Sequence, residues 1–454
     1  MGENITIAAP SAGEIRLVIA ASSLGTVFEW YDFFIYGTLA SAGIIGRAFF
    51  PAGDPVVQTL LAWAGFAVGF GFRPLGAVVF GYLGDRLGRK YTFLVTITLM
   101  GIATAGVGLV PSAASIGYAA PAIVLLLRIA QGLALGGEYG GAAIYVAEHA
   151  PPGKAGFYTS FIQAGVVGGF ILSLAVVLAT KAAVSPAAWT EGWWRFPFLF
   201  SLLLLAVSLW MRLKLSESPV FRAMREAGEA SVNPLRESFT YPGNLRRILV
   251  ALFGIAAGLT VIWYTALFSV LSFLTGAMHM AETPAQLIVA AGALLGLVFY
   301  FLTGRWSDRV GRKKPIVIGY LMTLALLFPL FWLIGGAAGN GVGPAGFVPG
   351  PGATLTILAG ILGLMALSGM TYGSVAALLA EMFPPRIRYS SLSIPYHIGT
   401  GYFGGFLPLI SAWMVARTGD AYAGLWYTEA VVAMALVVTW VGLKEPARPE
   451  RERS

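Results

Sequence analysis

Five ionisable side chains stand inside stretches that are otherwise apolar: Glu29, Asp32, Arg73, Arg128 and Glu138. A charge at bilayer depth costs at least about 2.5–3.5 kcal/mol, so it persists where it is paired, faces water or has a task. Carboxylates and guanidinium groups together are the parts of a proton carrier. A buried carboxylate beside Arg⁺ stays ionised, and it binds a proton once the cation withdraws. Arginine also offers a planar fork that holds a carboxylate through two parallel bonds. Glu29 and Asp32 are three residues apart, hence on one helix face. Toward the C-terminus His397 is the clear titratable candidate; a lone membrane histidine also reads as a hydrogen-bonded packing group. Enzymatic chemistry is not expected, because the chain has no H-E-x-x-H and no G-x-S-x-G pattern. With three histidines and no cysteine, there is little to build a metal site, so no metal, no cofactor and no catalytic residue is expected.

The elements that must position these charges are membrane helices. Of 454 residues, 57% are hydrophobic and only 11% charged, whereas soluble domains carry about 25% charge. A span needs about 20 apolar residues. Spans are predicted at 16–41, 56–82, 91–111, 121–147, 157–180, 194–214, 246–275, 283–304, 315–335, 353–381, 389–417 and 422–443. Depth follows from the helical rise: with the first span rising from the cytoplasm, Asp32 lies roughly 24 Å up, Arg128 roughly 30 Å, and Arg73 and Glu138 roughly 14 Å. These levels predict two ion pairs, Asp32 with Arg128 and Arg73 with Glu138. Two readings stand for Arg73, a fork for a substrate carboxylate or a cation neutralised by Glu138. Mid-span aromatic and polar groups complete the candidate substrate set: Tyr31, Gln163, Trp263, Tyr264, Tyr372 and Tyr396, with Arg73 and His397. Core packing is the competing reading for the rings.

A ten-residue cassette occurs twice. Gly81-Tyr82-Leu83-Gly84-Asp85-Arg86-Leu87-Gly88-Arg89-Lys90 recurs as Gly304-Arg305-Trp306-Ser307-Asp308-Arg309-Val310-Gly311-Arg312-Lys313. Glu148-His149-Ala150-Pro151-Pro152 after the fourth span is echoed by Glu381-Met382-Phe383-Pro384-Pro385 after the tenth. Two related halves of hydrophobic helices are the plan of an alternating-access carrier. The expected division is 1–214 and 246–443 for the six-helix bundles, 215–245 for a charged linker and 444–454 for a short tail. Placing both termini and the linker on one side leaves Arg47, Lys181, Arg195 and Arg417 on the other, out of 29 basic residues. That bias puts both termini in the cytoplasm. The net charge of +8 therefore reads as loop charge that sets orientation, and no nucleic-acid partner is expected. No cleavable leader is expected either.

The cassette is similar to the G-x-x-x-D-R-x-G-R-K loop of the major facilitator superfamily. Within it, the chain resembles the metabolite:proton symporters, a group that includes α-ketoglutarate, citrate, shikimate and proline/betaine permeases. The matching stretches run almost end to end: Glu29-Trp30-Tyr31-Asp32-Phe33, Phe72-Arg73-Pro74-Leu75-Gly76, Arg128-Ile129-Ala130-Gln131-Gly132, Gly136-Gly137-Glu138-Tyr139-Gly140-Gly141, Trp194-Arg195-Phe196-Pro197-Phe198 and Glu217-Ser218-Pro219-Val220-Phe221. Departures are Tyr139, where the family often has Trp, and Trp193-Trp194-Arg195 for Gly-Trp-Arg. The resemblance implies an all-α fold of twelve transmembrane helices in two pseudo-symmetric six-helix bundles. It implies proton-coupled transport across a bacterial-type cytoplasmic membrane by a monomer, with substrate, protons and the lipid bilayer as partners. Related sugar:proton symporters couple through a helix-1 Asp and a helix-4 Arg, and Asp32 and Arg128 stand at similar places, with Glu29 and Glu138 as further candidates. Gly81, Asp85, Arg86, Gly88 and Arg89, with Gly304, Asp308, Arg309, Gly311 and Arg312, correspond to the gating motif. Asp85 is expected to face the positive N-terminus of helix 11, and Asp308 that of helix 5. The expected cargo is a small mono- or dicarboxylate, imported with protons. The alternatives are a zwitterionic osmolyte such as proline or betaine, and proton-driven export. The short tail weighs against the osmolyte, since osmosensing members carry a long heptad-patterned tail.

Overall fold

The computed structural model describes residues 12–51, 53–87, 89–137, 139–213, 234–341, 344–384 and 387–445. Twelve rods run through these residues. α1 is Ala12–Ser41. α2 is Pro55–Gly71 continued by Arg73–Leu87, and α3 is Arg89–Leu109. α4 is Ala119–Gly136 continued by Tyr139–His149; α5 is Ala155–Ala183 and α6 Phe196–Leu213. α7 is Asn244–Ala277, α8 Glu282–Val310 and α9 Lys313–Ala337. α10 is Pro351–Met382, α11 Arg388–Thr418 and α12 Leu425–Gly442. Ten of the rods are long and apolar enough over the described residues to cross a membrane, and the apolar part of α3 is the shorter Leu94–Leu109. At about 1.5 Å per residue, a 29-residue helix such as α5 reaches about 44 Å, more than the ~30 Å hydrocarbon core of a bilayer.

Helix starts follow local chemistry. Pro55 opens α2 at a position that needs no N–H, and Asp54 caps it by accepting from Val56 N at 2.7 Å. Small residues then set how closely the rods approach. α2 and α4 cross backbone to backbone: a Cβ at Gly132 would strike the Gly69 carbonyl, and one at Gly136 the Arg73 carbonyl. Gly132-x-x-x-Gly136 thus lets two helices touch where larger residues would hold them apart.

The sequence echo has a structural counterpart. α4 is interrupted between Gly136 and Tyr139, and α10 between Tyr372 and Val375. The symmetry is incomplete, because α7 contains three π-helical stretches, Val250–Ala256, Thr265–Ser269 and Phe273–Ala277, and α11 contains one, Gly399–Gly405. Periodicity does not predict such wide turns, which often mark functional sites. Across the molecule α5 lies along α8 and α2 along α11. One face carries Gly304–Lys313 and the end of α12; we call it the cassette face and its opposite the far face.

The candidate transport site and its latches

Asp32 and Glu29 are both buried on α1, with 5% and 8% of their surface exposed. Asp32 Oδ1 has no hydrogen-bond partner. Arg128 is wholly buried on α4. The ion pair expected between Asp32 and Arg128 is not formed. The guanidinium instead lies over the rings of Phe33 and Tyr36, 4.1 and 4.6 Å from their centroids. Its Nη1 donates to Gln131 Oε1 at 2.6 Å and to the Phe33 carbonyl at 3.4 Å. The guanidinium is seated by acceptors and rings already within reach, Gln131 Oε1, the Phe33 carbonyl, Phe33 and Tyr36, although Asp32 is four residues from Tyr36 and shares its side of α1. Gln131 bridges the gap by donating to the Asp32 main-chain carbonyl.

Arg73 on α2 is also fully buried. It lies 5.1 Å from the ring centroids of both Trp30 and Phe70. Its expected partner Glu138 lies outside the described residues. His397 on α11 is buried, its ring 5.6 Å from that of Tyr396. Tyr396 and Tyr372 join hydroxyls at 2.7 Å, bridging α11 and α10. Gln163 is buried on α5. Tyr31 turns outward from the centre: its hydroxyl donates to the Pro197 carbonyl of α6 at 2.5 Å.

Between these polar groups the structure places rings that the sequence reading did not single out. Phe34 of α1 stacks on Trp263 of α7 at 5.0 Å, and Phe70 of α2 meets Tyr264 edge-on at 5.6 Å. Phe268 of α7 stacks on Tyr264 at 5.7 Å, and it touches Phe66 of α2 at 5.5 Å and Phe170 of α5 at 4.8 Å. The signal was the i,i+4 pair Phe66 and Phe70 on one helix face and the neighbouring Phe33 and Phe34, but rings in a membrane span are normally read as packing or anchors.

On the cassette face, the second cassette is a bonded unit. Asp308 accepts from the first amides of α5, Gly156 N at 2.8 Å and Phe157 N at 2.9 Å. A carboxylate on exposed N–H groups at a helix start gains both hydrogen bonds and the dipole. Arg312 donates to Asp308 Oδ1 and Ser307 Oγ, each at 2.7 Å, and clasps Glu381 of α10 through Nε and Nη2, the latter at 2.8 Å. Burial works to lower the Arg312 pKa, but bonds and charge from Glu381 and Asp308 outweigh it and hold it above the ordinary value. Gly304 lets α5 arrive: a Cβ there would sit 2.6 Å from the Gly156 carbonyl. Gly311 takes a left-handed φ of 98°, which glycine adopts without steric cost. Beyond it Glu445 accepts from Arg312 N at 2.5 Å and Lys313 N at 3.2 Å, while Lys313 Nζ donates to the last carbonyls of α12, Trp440 O and Leu443 O, both at 2.8 Å. Arg309 is exposed in the last turn of α8. In the first cassette, Gly88 and the side chains of Asp85, Arg86 and Arg89 lie outside the described residues, and of Gly81 only its place in α2 is described. A further tie joins Arg388 of α11 to Glu148 of α4 at 2.9 Å. Between these residues opens a vestibule of about 1880 Å³, lined by Lys154, Asp308, Arg312, Glu381 and Arg388 among others. On the far face, Lys181 at the end of α5 and Glu282 at the start of α8 pair at 3.0 Å. α5 and α8 are therefore tied at both ends.

Twelve helices in repeated halves, ionisable groups buried at mid-depth and ties at both faces define a polytopic membrane carrier. The Major Facilitator Superfamily model matches residues 22–342 and 253–454, and the chain belongs to that superfamily. It is 36% identical to a proline/betaine transporter of Salmonella typhimurium over 442 residues, 96% of this chain and 84% of the relative. It is 32% identical to the shikimate transporter of Escherichia coli, over 94% of this chain and 92% of the relative. The fold also matches the proton:xylose symporter XylE, with TM-score 0.72 at 20% identity, covering 96% of this chain and 97% of that one. The family and these relatives are transporters, not enzymes.

Proposed function

We propose that the chain is a proton-coupled importer of a small zwitterion of the betaine or proline type. The observation that carries this is the set of rings closing between α1, α2, α5 and α7 beside two buried acids. Aromatic faces attract an alkylammonium group by about 0.5–2 kcal/mol each, and Asp32 and Glu29 add negative charge. Arg73, cushioned on Trp30 and Phe70, supplies the fork for the solute carboxylate. The proline/betaine transporter among the relatives supports the same reading. On sequence alone the carboxylate stood first and the zwitterion second; the rings reverse that order. The carboxylate reading keeps one support in the two buried arginines, and a shikimate transporter is also among the relatives.

In this reading the cassette face is cytoplasmic, with both termini inside the inner membrane, and 1–214 and 246–443 are the bundles that rock about the site as a monomer. Asp32 carries the proton with Arg128 as its switch partner. Asp308 on α5, and by symmetry Asp85 on α11, latch the cytoplasmic side. Ties on both faces hold the bundles together around the rings, and the rings part when one set of ties opens.

The test is uptake by purified protein in proteoliposomes under an imposed pH gradient. Labelled glycine betaine or L-proline should accumulate, and shikimate, succinate and α-ketoglutarate should not compete. Competition by those acids with none by betaine would return the carboxylate to first place. Asp32→Asn should abolish accumulation yet keep solute-for-solute exchange; concentrative uptake by that variant would remove Asp32 as carrier in favour of Glu29 or Glu138.

A further inference from the structure

One neutral side chain stands between the two groups assigned to coupling. Gln131 lies three residues beyond Arg128 on α4 and is fully buried. Its amide oxygen accepts from Arg128 Nη1 at 2.6 Å. Its amide nitrogen donates to Thr104 Oγ1 of α3 at 2.7 Å and to the Asp32 carbonyl of α1 at 3.3 Å. Thr104 spends its own proton on the Met100 carbonyl at 2.9 Å, so it can only accept from Gln131. The amide orientation is thereby fixed, with its oxygen left for the guanidinium. Within the pair itself, Asp32 Oδ1 and Arg128 Nη2 are both buried without hydrogen-bond partners.

We infer that Gln131 is the positioning residue that decides when Arg128 passes to Asp32. This rests on the proton-carrier role proposed above for Asp32. A charge-assisted bond is roughly twice as strong as a neutral one. While Asp32 is protonated, the neutral amide holds the guanidinium. Once Asp32 ionises, its carboxylate outcompetes the amide. Phe33 and Tyr36 support the cation from below throughout, so the guanidinium need only swing rather than leave its seat. The hold exerted by Gln131 therefore sets the pH at which the proton departs. The other titratable groups facing the pair are Glu29, Tyr31 and Tyr36 on α1 and Tyr264 on α7, with Arg73 of α2 facing Tyr264 and His397 of α11. None of these hydrogen-bonds to Gln131 among the described residues, so a change at 131 acts through Arg128.

Two substitutions at this one position have opposite expected effects. Gln131→Glu gives Arg128 a permanent anionic partner, so Asp32 keeps its proton to higher pH, by about 1 unit or more. Gln131→Leu removes the rival acceptor, so the guanidinium reaches Asp32 earlier and the midpoint falls by about 1 unit. Thr104→Val, nearly equal in volume, loosens the amide and should give a smaller fall; it serves if Gln131→Leu does not fold. The readout is pH-induced infrared difference spectroscopy of the reconstituted protein, which needs no substrate. The Asp32 band is the protonated-carboxyl signal that disappears when Asp32→Asn is added in each background. Shifts of opposite sign support the inference. A band unmoved by all three variants, or moved the same way by Gln131→Glu and Gln131→Leu, overturns it while leaving Asp32 as carrier. A wild-type protein with no titrating Asp32 band overturns the carrier role itself, and the inference falls with it.

Discussion

Asp308→Asn is the sharpest perturbation of the cassette face. The native carboxylate receives two main-chain N–H groups from the start of α5 and one from Arg312. It is only 7% exposed and its arginine 8%, so bulk salt screens the contact little. The amide that replaces it keeps one acceptor oxygen and loses the charge. Hydrogen bonds to charged groups contribute about 1.5–3 kcal/mol each, and the dipole about 0.3–1 kcal/mol. Losing one such bond and the dipole term destabilises the closed cassette face by about 2–4 kcal/mol. At about 1.4 kcal/mol per decade that is roughly a 30- to 700-fold shift in population toward opening at this face. The chain has no cysteine, so Ala380→Cys, in the lining of the vestibule, is a unique reporter. Its labelling by an impermeant maleimide from the cassette face should accelerate in the Asp308→Asn background and stay slow with Asp308→Glu. Equal labelling rates with and without Asp308→Asn would refute the latch, because the carboxylate would then hold no closed state together.

Three further outcomes follow from the same geometry. Arg73→Lys replaces a fork with a point charge and should raise the apparent KM for betaine about tenfold or more; unchanged KM would remove Arg73 from solute binding. On the far face, Lys181→Glu or Glu282→Lys alone should favour outward opening by about 0.2–1 kcal/mol, as for exposed pairs, and the double reversal should restore wild-type exchange rates; additive single effects would show the pair to be uncoupled. Because the Arg312 pKa is raised in the folded state, its contribution is fully present below the unfolded value and fades only as pH rises through the folded one. The open fraction of the cassette face, read from the distance between a spin-label pair rather than from thiol labelling, whose rate follows the thiolate, should therefore stay flat from neutral to mildly alkaline pH, well below arginine titration; opening in that range would contradict the assignment.

Much of the architecture was legible because it rests on length and periodicity. The spans follow from apolar runs and the twice-used cassette from its repeated residues, and the meeting of Asp308 with α5 was what the family resemblance and the helix dipole together implied. What escaped was which neighbours a buried side chain meets. The rise per residue gives the level of Asp32 and Arg128 but not which groups seat the guanidinium, and Phe33, Tyr36 and Gln131 hold Arg128 away from the carboxyl. Tyr31 was lost in the same way, since its hydroxyl answers a carbonyl of α6. The π-helical turns of α7 and α11 shift every ring after them by a fraction of a turn, so Trp263, Tyr264 and Phe268 were identifiable as aromatic but not as one cluster. Glu445 acts at a distance of more than a hundred residues from the α9 amides it caps, and no local pattern announces that.

The glycine crossing of α2 and α4 has an electrical consequence. Arg73 and Arg128 belong to helices whose backbones touch, and Arg128 itself lies against Gly69. Such a contact makes the two helices travel as one plank, and any swing of the Arg128 guanidinium is undone by the end of each cycle. Over a full turnover the two cations therefore move no net charge. A current recorded during turnover then reports the proton together with any net charge on the cargo. For a zwitterion carried with one proton, each cycle moves one positive charge inward, and a potential of 100 mV contributes about 2.3 kcal/mol to accumulation. A monovalent anion carried with one proton moves none. A dianion carried with one proton moves one negative charge inward, so at one proton per cycle the sign of the current separates the zwitterion from both kinds of acid.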